Sequence, residues 1–132
     1  MYFDLGGYQE RYTVAYSRFK EYIAFRVGES SIRQIEEINV QIELGMKNTH
    51  IPVLEGYLVN FFNSHDIKIT IDLTKRGAYI PRVFLWNKGE YINRLTQEYD
   101  NRNDAILKAI DYAFTRLNLD LILEQNYKNP KK

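Results

Sequence analysis

Apolar and polar positions alternate strictly over Ile67-Lys68-Ile69-Thr70-Ile71-Asp72-Leu73. That period of two is the pattern of a strand with one buried face and one wet face. Lys75-Arg76-Gly77 reads as a turn, a second extended run follows from Ala78 to Trp86, and Asn87-Lys88-Gly89 reads as another turn before a third run at 90–95. The spacing predicts an antiparallel three-stranded sheet at about residues 67–74, 78–87 and 90–96. A helix at about 101–117 closes the unit. Asn101 is its expected N-cap and Asp104 stands near its positive end, while Ala105, Ile106, Ala109, Ile110, Ala113, Phe114 and Leu117 fall on one face. The small row of three alanines lets this helix lie close to a sheet.

Before the strands, Leu54, Tyr57, Leu58, Phe61 and Phe62 recur at i, i+3, i+4, i+7 and i+8, with Thr49 as cap and Pro52 in the first turn. Ser31-Ile32-Arg33-Gln34 has the form of a capping box, Ile32, Ile35, Ile38 and Ile42 make one stripe, and Gly45 is a stop. These features favour a helix over the competing alternation of Ile38, Val40, Ile42 and Leu44. In the first 28 residues, Tyr8, Tyr12, Tyr16, Phe19, Ile23 and Val27 have helical spacing, although shorter stretches there also alternate. Helix is the expected reading, because no Gly, Pro or Asn-Gly supplies a tight hairpin turn. Leu119, Leu121, Ile122 and Leu123 either extend the last helix or form a final extended piece. The expected fold is α+β in a single domain, residues 1–132. It comprises a helical N-terminal part at 1–48, an α-β-β-β-α core at 49–125 and a frayed, basic tail at 126–132.

The second strand breaks the simple pattern. One face carries Tyr79, Val83 and Leu85, and the other carries Ile80, Phe84 and Trp86, interrupted by Arg82. A sheet wet on one side should alternate cleanly, so something must cover the second face: helices of this chain, or a partner. Pro81 adds a conflict, because the middle strand of a meander needs its ladder donors. It implies a bulge, or a strand that is an edge near that point and open to extension by a partner.

Composition changes this picture in two ways. The net charge of +1 conceals a gradient, with seven Lys/Arg against ten Asp/Glu in residues 1–74 and five against one in 75–95. The basic excess, Lys75, Arg76, Arg82, Lys88 and Arg94, therefore sits on the strands, interleaved with Tyr79, Phe84, Trp86 and Tyr91. Eleven tyrosines suit half-wet surfaces, since each joins a large apolar body to a polar tip. Otherwise 45% hydrophobic and 27% charged residues are ordinary for a globular chain, and no apolar run is long enough to span a membrane. The first residues do not read as a secretory signal. The chain has no cysteine, which removes disulfides and thiolate chemistry and fits a cytoplasmic setting.

Candidate chemistry is sparse. His50 and His65 have no partner at metal-ligand spacing, Glu36-Glu37 are adjacent and so do not face each other on a helix, and Gly6-Gly7 reads as a turn or a flexible start. No phosphate loop, dinucleotide fingerprint or nucleophile elbow occurs. The expectation is no enzyme, with no catalytic residue, no cofactor and no metal.

From Thr49 to Leu117 the order is Ile51-Pro52 before an amphipathic helix, His65-Asp66-Ile67 into a strand, a meander, and then Tyr99-Asp100-Asn101-Arg102-Asn103-Asp104-Ala105-Ile106 opening an alanine-faced helix. This order is similar to a group of small uncharacterised proteins common in phage and prophage genomes. The resemblance covers about half of the chain and leaves the first 48 residues outside. It implies a phage or mobile-element origin and brings no site residues with it.

Together these readings predict a small non-catalytic module that binds a host or phage protein, or associates with itself. Arg82, Trp86, Tyr91 and Arg94 are its expected surface determinants. A host-factor inhibitor is one form of this reading, and a small virion component is an alternative. A further alternative is nucleic-acid binding, with basic side chains on phosphates and aromatics stacked on bases.

Overall fold

The computed structural model describes residues 5–27, 51–92 and 97–128. Their order is α1 (Leu5–Arg11), α2 (Thr13–Val27), α3 (Ile51–Asn63), β1 (Ile67–Leu73), β2 (Tyr79–Leu85), β3 (Glu90–Tyr91) and α4 (Arg102–Lys128). The fold is α+β, with a three-stranded antiparallel sheet in the order β1-β2-β3. The capping box and isoleucine stripe expected at 31–44, the competing strand at 38–44 and the Thr49 cap lie outside the described residues. The chain divides into two compact units, Leu58–Ala113 and Met1–Tyr57 with Phe114–Lys132, so both boundaries fall inside helices.

In the unit that holds the N-terminal helices, the tyrosine spacing decides the structure. Tyr8, Ala15, Tyr16 and Phe19 are buried. Tyr8, Tyr12 and Tyr16 set their rings 4.8, 5.6 and 6.5 Å from that of Phe114, with Tyr12 stacked almost parallel to it. Helical bonding runs through the bend at Tyr12, since Tyr12 N–H donates to the Tyr8 carbonyl and Tyr16 N–H to that of Tyr12. The first turn of a helix leaves N–H donors without an internal acceptor. In α2 one of them, on Ala15, donates to Asn118 Oδ1 at 3.0 Å, a cap supplied from the last helix. Gly6-Gly7 lies within α1 and forms neither a turn nor a loose start. The tyrosine stripe dominates locally, and glycine lowers helix stability by only about 1 kcal/mol.

In the other unit, β1 and β2 pair over seven positions, from Ile67↔Leu85 to Leu73↔Tyr79, without a bulge. The turns fall where glycine predicted them. Gly77 and Gly89 have φ of 83° and 65°, a region open to glycine at little cost. The buried side chains are Leu58, Phe61 and Phe62 from α3, Ile67, Val83 and Leu85 from the sheet, and Ala105, Ile106, Ala109, Ile110 and Ala113 from α4. Each large side chain buried this way contributes about 1.5–3 kcal/mol. Asn101 caps α4 as its sequence implies, accepting the Asp104 N–H at 3.1 Å.

Boundaries differ from the sequence pattern at the second strand and at the last helix. The second strand ends at Leu85, because Lys88 and Gly89 N–H both return to the Leu85 carbonyl and turn the chain at residue 86. Among the described residues the third strand is Glu90–Tyr91, with Ile92 N–H still donating to Val83, and its expected end at 93–96 lies outside them. The last helix runs on to Lys128 and does not end near residue 117, so the 119–123 run is helical, and so are Asn126 and Tyr127 where a frayed tail was expected. No glycine or proline interrupts that stretch.

Pro81 is accommodated by parity. Trp86 N–H donates to the Asp66 carbonyl and Thr74 N–H to that of Ala78, so even-numbered residues of the hairpin exchange bonds across β1–β2. Tyr79 exchanges bonds with Tyr99, and Ile92 N–H donates to Val83, so odd-numbered residues of β2 turn the other way. Pro81 is odd, and its missing N–H removes nothing from the β1 ladder. It falls between the Tyr79↔Tyr99 bridge and the short β3 pairing at Phe84–Leu85. Of the two expectations, a bulge or a local edge, the unbroken pairing with β1 removes the bulge.

Candidate functional site

The register assigns each strand residue to a face. Pro81, Val83 and Leu85 are buried, whereas Ile80, Arg82 and Phe84 between them are half-buried. Lys68, Thr70 and Asp72 stand opposite Phe84, Arg82 and Ile80 on this outer face, and Tyr91 stands opposite Phe84 from the other side. Trp86, the first residue of the turn, is 64% exposed, and Tyr91 is 46% exposed. Their rings both meet Phe84, with centroids 6.2 Å away for Trp86 and 4.9 Å for Tyr91. Lys68 Nζ lies 5.6 Å from the Trp86 ring centroid and also donates to Asn63 Oδ1. The cluster is thus a small aromatic platform with a cation at one end, placed where the chain leaves its side chains open.

The remaining basic residues divide into two kinds. Arg82 Nε is bound to the Asp72 carboxylate across the hairpin, and Arg76 reaches Glu98 at 2.7 Å. Lys75 and Lys88 are exposed at the two turns. Of the four residues expected as determinants, Arg82, Trp86 and Tyr91 fall on or beside the outer face, and Arg94 lies outside the described residues. One contributor escaped the sequence reading, and the role of another went unread. Phe84 was read as an apolar position of the second face and as one of the interleaved aromatics; it is the ring that joins Trp86 to Tyr91. Lys68 belongs to another strand, and only the register Lys68↔Phe84 reveals that it shares their face. A second apolar surface was also missed. Leu119, Ile122, Leu123 and Tyr127, at i, i+3, i+4 and i+8 of α4, are exposed. That spacing is readable in the sequence once the helix is known to continue.

The candidate chemistry has ordinary surroundings. His65 sits edge-on to the Phe61 ring, 5.0 Å between centroids, at the end of α3. His50 and Glu36-Glu37 lie outside the described residues. No cluster of His, Asp and Glu suited to a metal ion occurs among the described residues. An open groove along α1 and α2 is lined by Gln9, Thr13, Tyr16, Ser17, Lys20 and Glu21. No described helix is long and apolar enough to cross a membrane. The Tyr99 phenol is held above its ordinary value of 10.0, first by burial and then by Tyr112 and Asp104. No family model, curated protein or solved structure matches the chain.

Proposed function

We propose that the chain is a non-catalytic protein-binding module whose docking surface is the outer face of the sheet around Trp86, Phe84 and Tyr91. The observation that carries this is the exposure of Trp86 and Tyr91 on either side of a shared phenylalanine. Aromatic residues gathered in one patch are the usual anchors of protein interfaces, and a few of them supply most of the affinity. Lys68 and Arg82, the second already held by Asp72, supply a polar rim. The resemblance of residues 49–117 to phage and prophage proteins supports a host or phage protein as the partner, in a cytoplasmic setting. The ion pairs at Arg76 and Arg82 favour a protein over a nucleic acid, because they neutralise two of the five cations on which the nucleic-acid reading depends.

The test is capture of partners by the wild-type chain and by a Trp86→Ala/Tyr91→Ala variant, with a thermal melt of each. A partner held by the wild type should bind the variant at least about thirtyfold more weakly, the effect of losing roughly 2 kcal/mol at an anchor. The melt should move little. An unchanged partner profile beside a large drop in stability would make the platform a packing feature. Salt-dependent binding of short oligonucleotides, lost in the same variant, would replace the protein partner with a nucleic acid.

A further inference from the structure

The opposite edge of the sheet carries a separate feature. Among the described residues, β1 is an outer strand, paired only with β2. Since its even-numbered residues bond to β2, the N–H and C=O groups of Ile67, Ile69, Ile71 and Leu73 point away from the sheet. Protein edges are usually blunted by proline, a bulge, a short strand, an inward-pointing charge or a lysine. Of these β1 has only Lys68, on the outer face opposite Phe84. The strand runs seven residues without a bulge, and the side chains beside its outward backbone groups are all apolar. Cover along that row fades from one end to the other: Ile67 is buried, Ile69 and Ile71 are half-buried, and Leu73 is 67% exposed.

The strand is also complementary to itself. Around Thr70 the sequence reads Lys68-Ile69-Thr70-Ile71-Asp72. We infer that β1 pairs antiparallel with β1 of a second copy, about a two-fold axis at Thr70, to give a continuous six-stranded sheet. In this register Ile69 meets Ile71 of the other copy, and Ile67 meets Leu73, through the outward backbone groups. Thr70 meets its own counterpart. Lys68 stands directly opposite Asp72, twice, on the outer face, and opposite charges at such positions stabilise pairing. Lys68 and Asp72 already bind Asn63 and Arg82, but an ammonium has three donors and a carboxylate about four acceptor sites, so both have capacity left. A shift of two residues either way destroys both charge pairs, and a shift of one turns the apolar row to the wrong face. The axis brings the covered end of each strand against the open end of the other, so Leu73 gains apolar cover beside Ile67. The dimer also sets two Trp86–Phe84–Tyr91 clusters on the same side of one sheet, their β2 strands three strand spacings, or roughly 14 Å, apart.

Light scattering after size exclusion should give twice the 15.7 kDa chain mass. Lys68→Glu and Asp72→Lys should each weaken the dimer by about tenfold or more, since each turns both cross-strand pairs repulsive. Mixing the two variants should restore a dimer, because in the mixed pair every charge again meets its opposite. Thr70→Cys gives an independent reading, as the chain has no cysteine of its own. Directly opposed residues of this kind have Cα atoms about 4.5 Å apart, within disulfide reach. Mild oxidation should therefore cross-link Thr70→Cys chains much faster than chains carrying Asn87→Cys, a control in the exposed turn. A monomer at every accessible concentration overturns the proposal. So does a dimer indifferent to both charge reversals, or equal cross-linking at positions 70 and 87. Lys68 and Asp72 also shape the polar rim beside Trp86, so the Thr70→Cys cross-link, at a residue outside that rim, is the arm that lets the two readings fail separately.

Discussion

The two faces of β2 differ in what they ask of the same seven residues. Pro81, Val83 and Leu85 point into a core completed by phenylalanines of α3 and the alanine row of α4. Ile80, Arg82 and Phe84 point outward into a layer of rings and ion pairs that remains half-wet. Both faces are apolar by composition, yet only one is closed. Apolar content therefore marks where a surface is available for burial, whereas closure depends on which helix reaches it. A closed face contributes to folding. An open one made of large rings holds its burial free energy in reserve for association.

The sharpest test of this contrast is a matched pair of truncations. Leu85→Ala removes a buried side chain and should lower unfolding free energy by about 2–5 kcal/mol in denaturant titrations, whereas the platform variant Trp86→Ala/Tyr91→Ala should lower it far less and act on binding. Equal losses from the two would erase the distinction between the faces. A smaller effect is expected at Arg82→Ala. Its ion pair with Asp72 is partly exposed, with side chains 27% and 48% accessible, so the loss should be about 0.2–1 kcal/mol and should shrink in high salt. The least change is expected from Tyr99, beside Tyr79 at the start of β2. Its phenol is raised in the folded chain, so the folded state prefers the neutral form. Stability should be complete below the ordinary value of 10.0 and should decline as pH rises through the higher folded value. Replacing Asp104 with Asn should lower the Tyr99 midpoint in an ultraviolet titration, because it removes one of the charges that oppose ionisation.

Much of the fold was legible because its determinants are local. The strand predicted at β1 pairs in the structure over all seven residues, although of its apolar row only Ile67 is buried, both glycine turns fall where φ must be positive, and Asn101 caps the helix it precedes. The outer surface was legible only in part. Trp86, Tyr91 and Arg82 stood out as aromatic or basic residues in a run that should have alternated, but Lys68 and the linking role of Phe84 depend on a pairing between strands that no single strand encodes. The ion pairs that occupy Arg76 and Arg82 come from Glu98 and Asp72, 22 and 10 residues away, which is why the basic excess looked more available than it is.

The sequence alone determined the order of strands and last helix, the turn positions and the buried face of the last helix. These follow from periodicity, caps and glycine, which act within a few residues. Tertiary structure decided the register, and with it which ring meets which cation and which backbone groups remain at the edge of the sheet. It also decided the fate of Pro81. A proline in a middle strand is a contradiction when read along the chain. It is resolved by parity, because the side of β2 toward which residue 81 turns its nitrogen does not carry the β1 ladder.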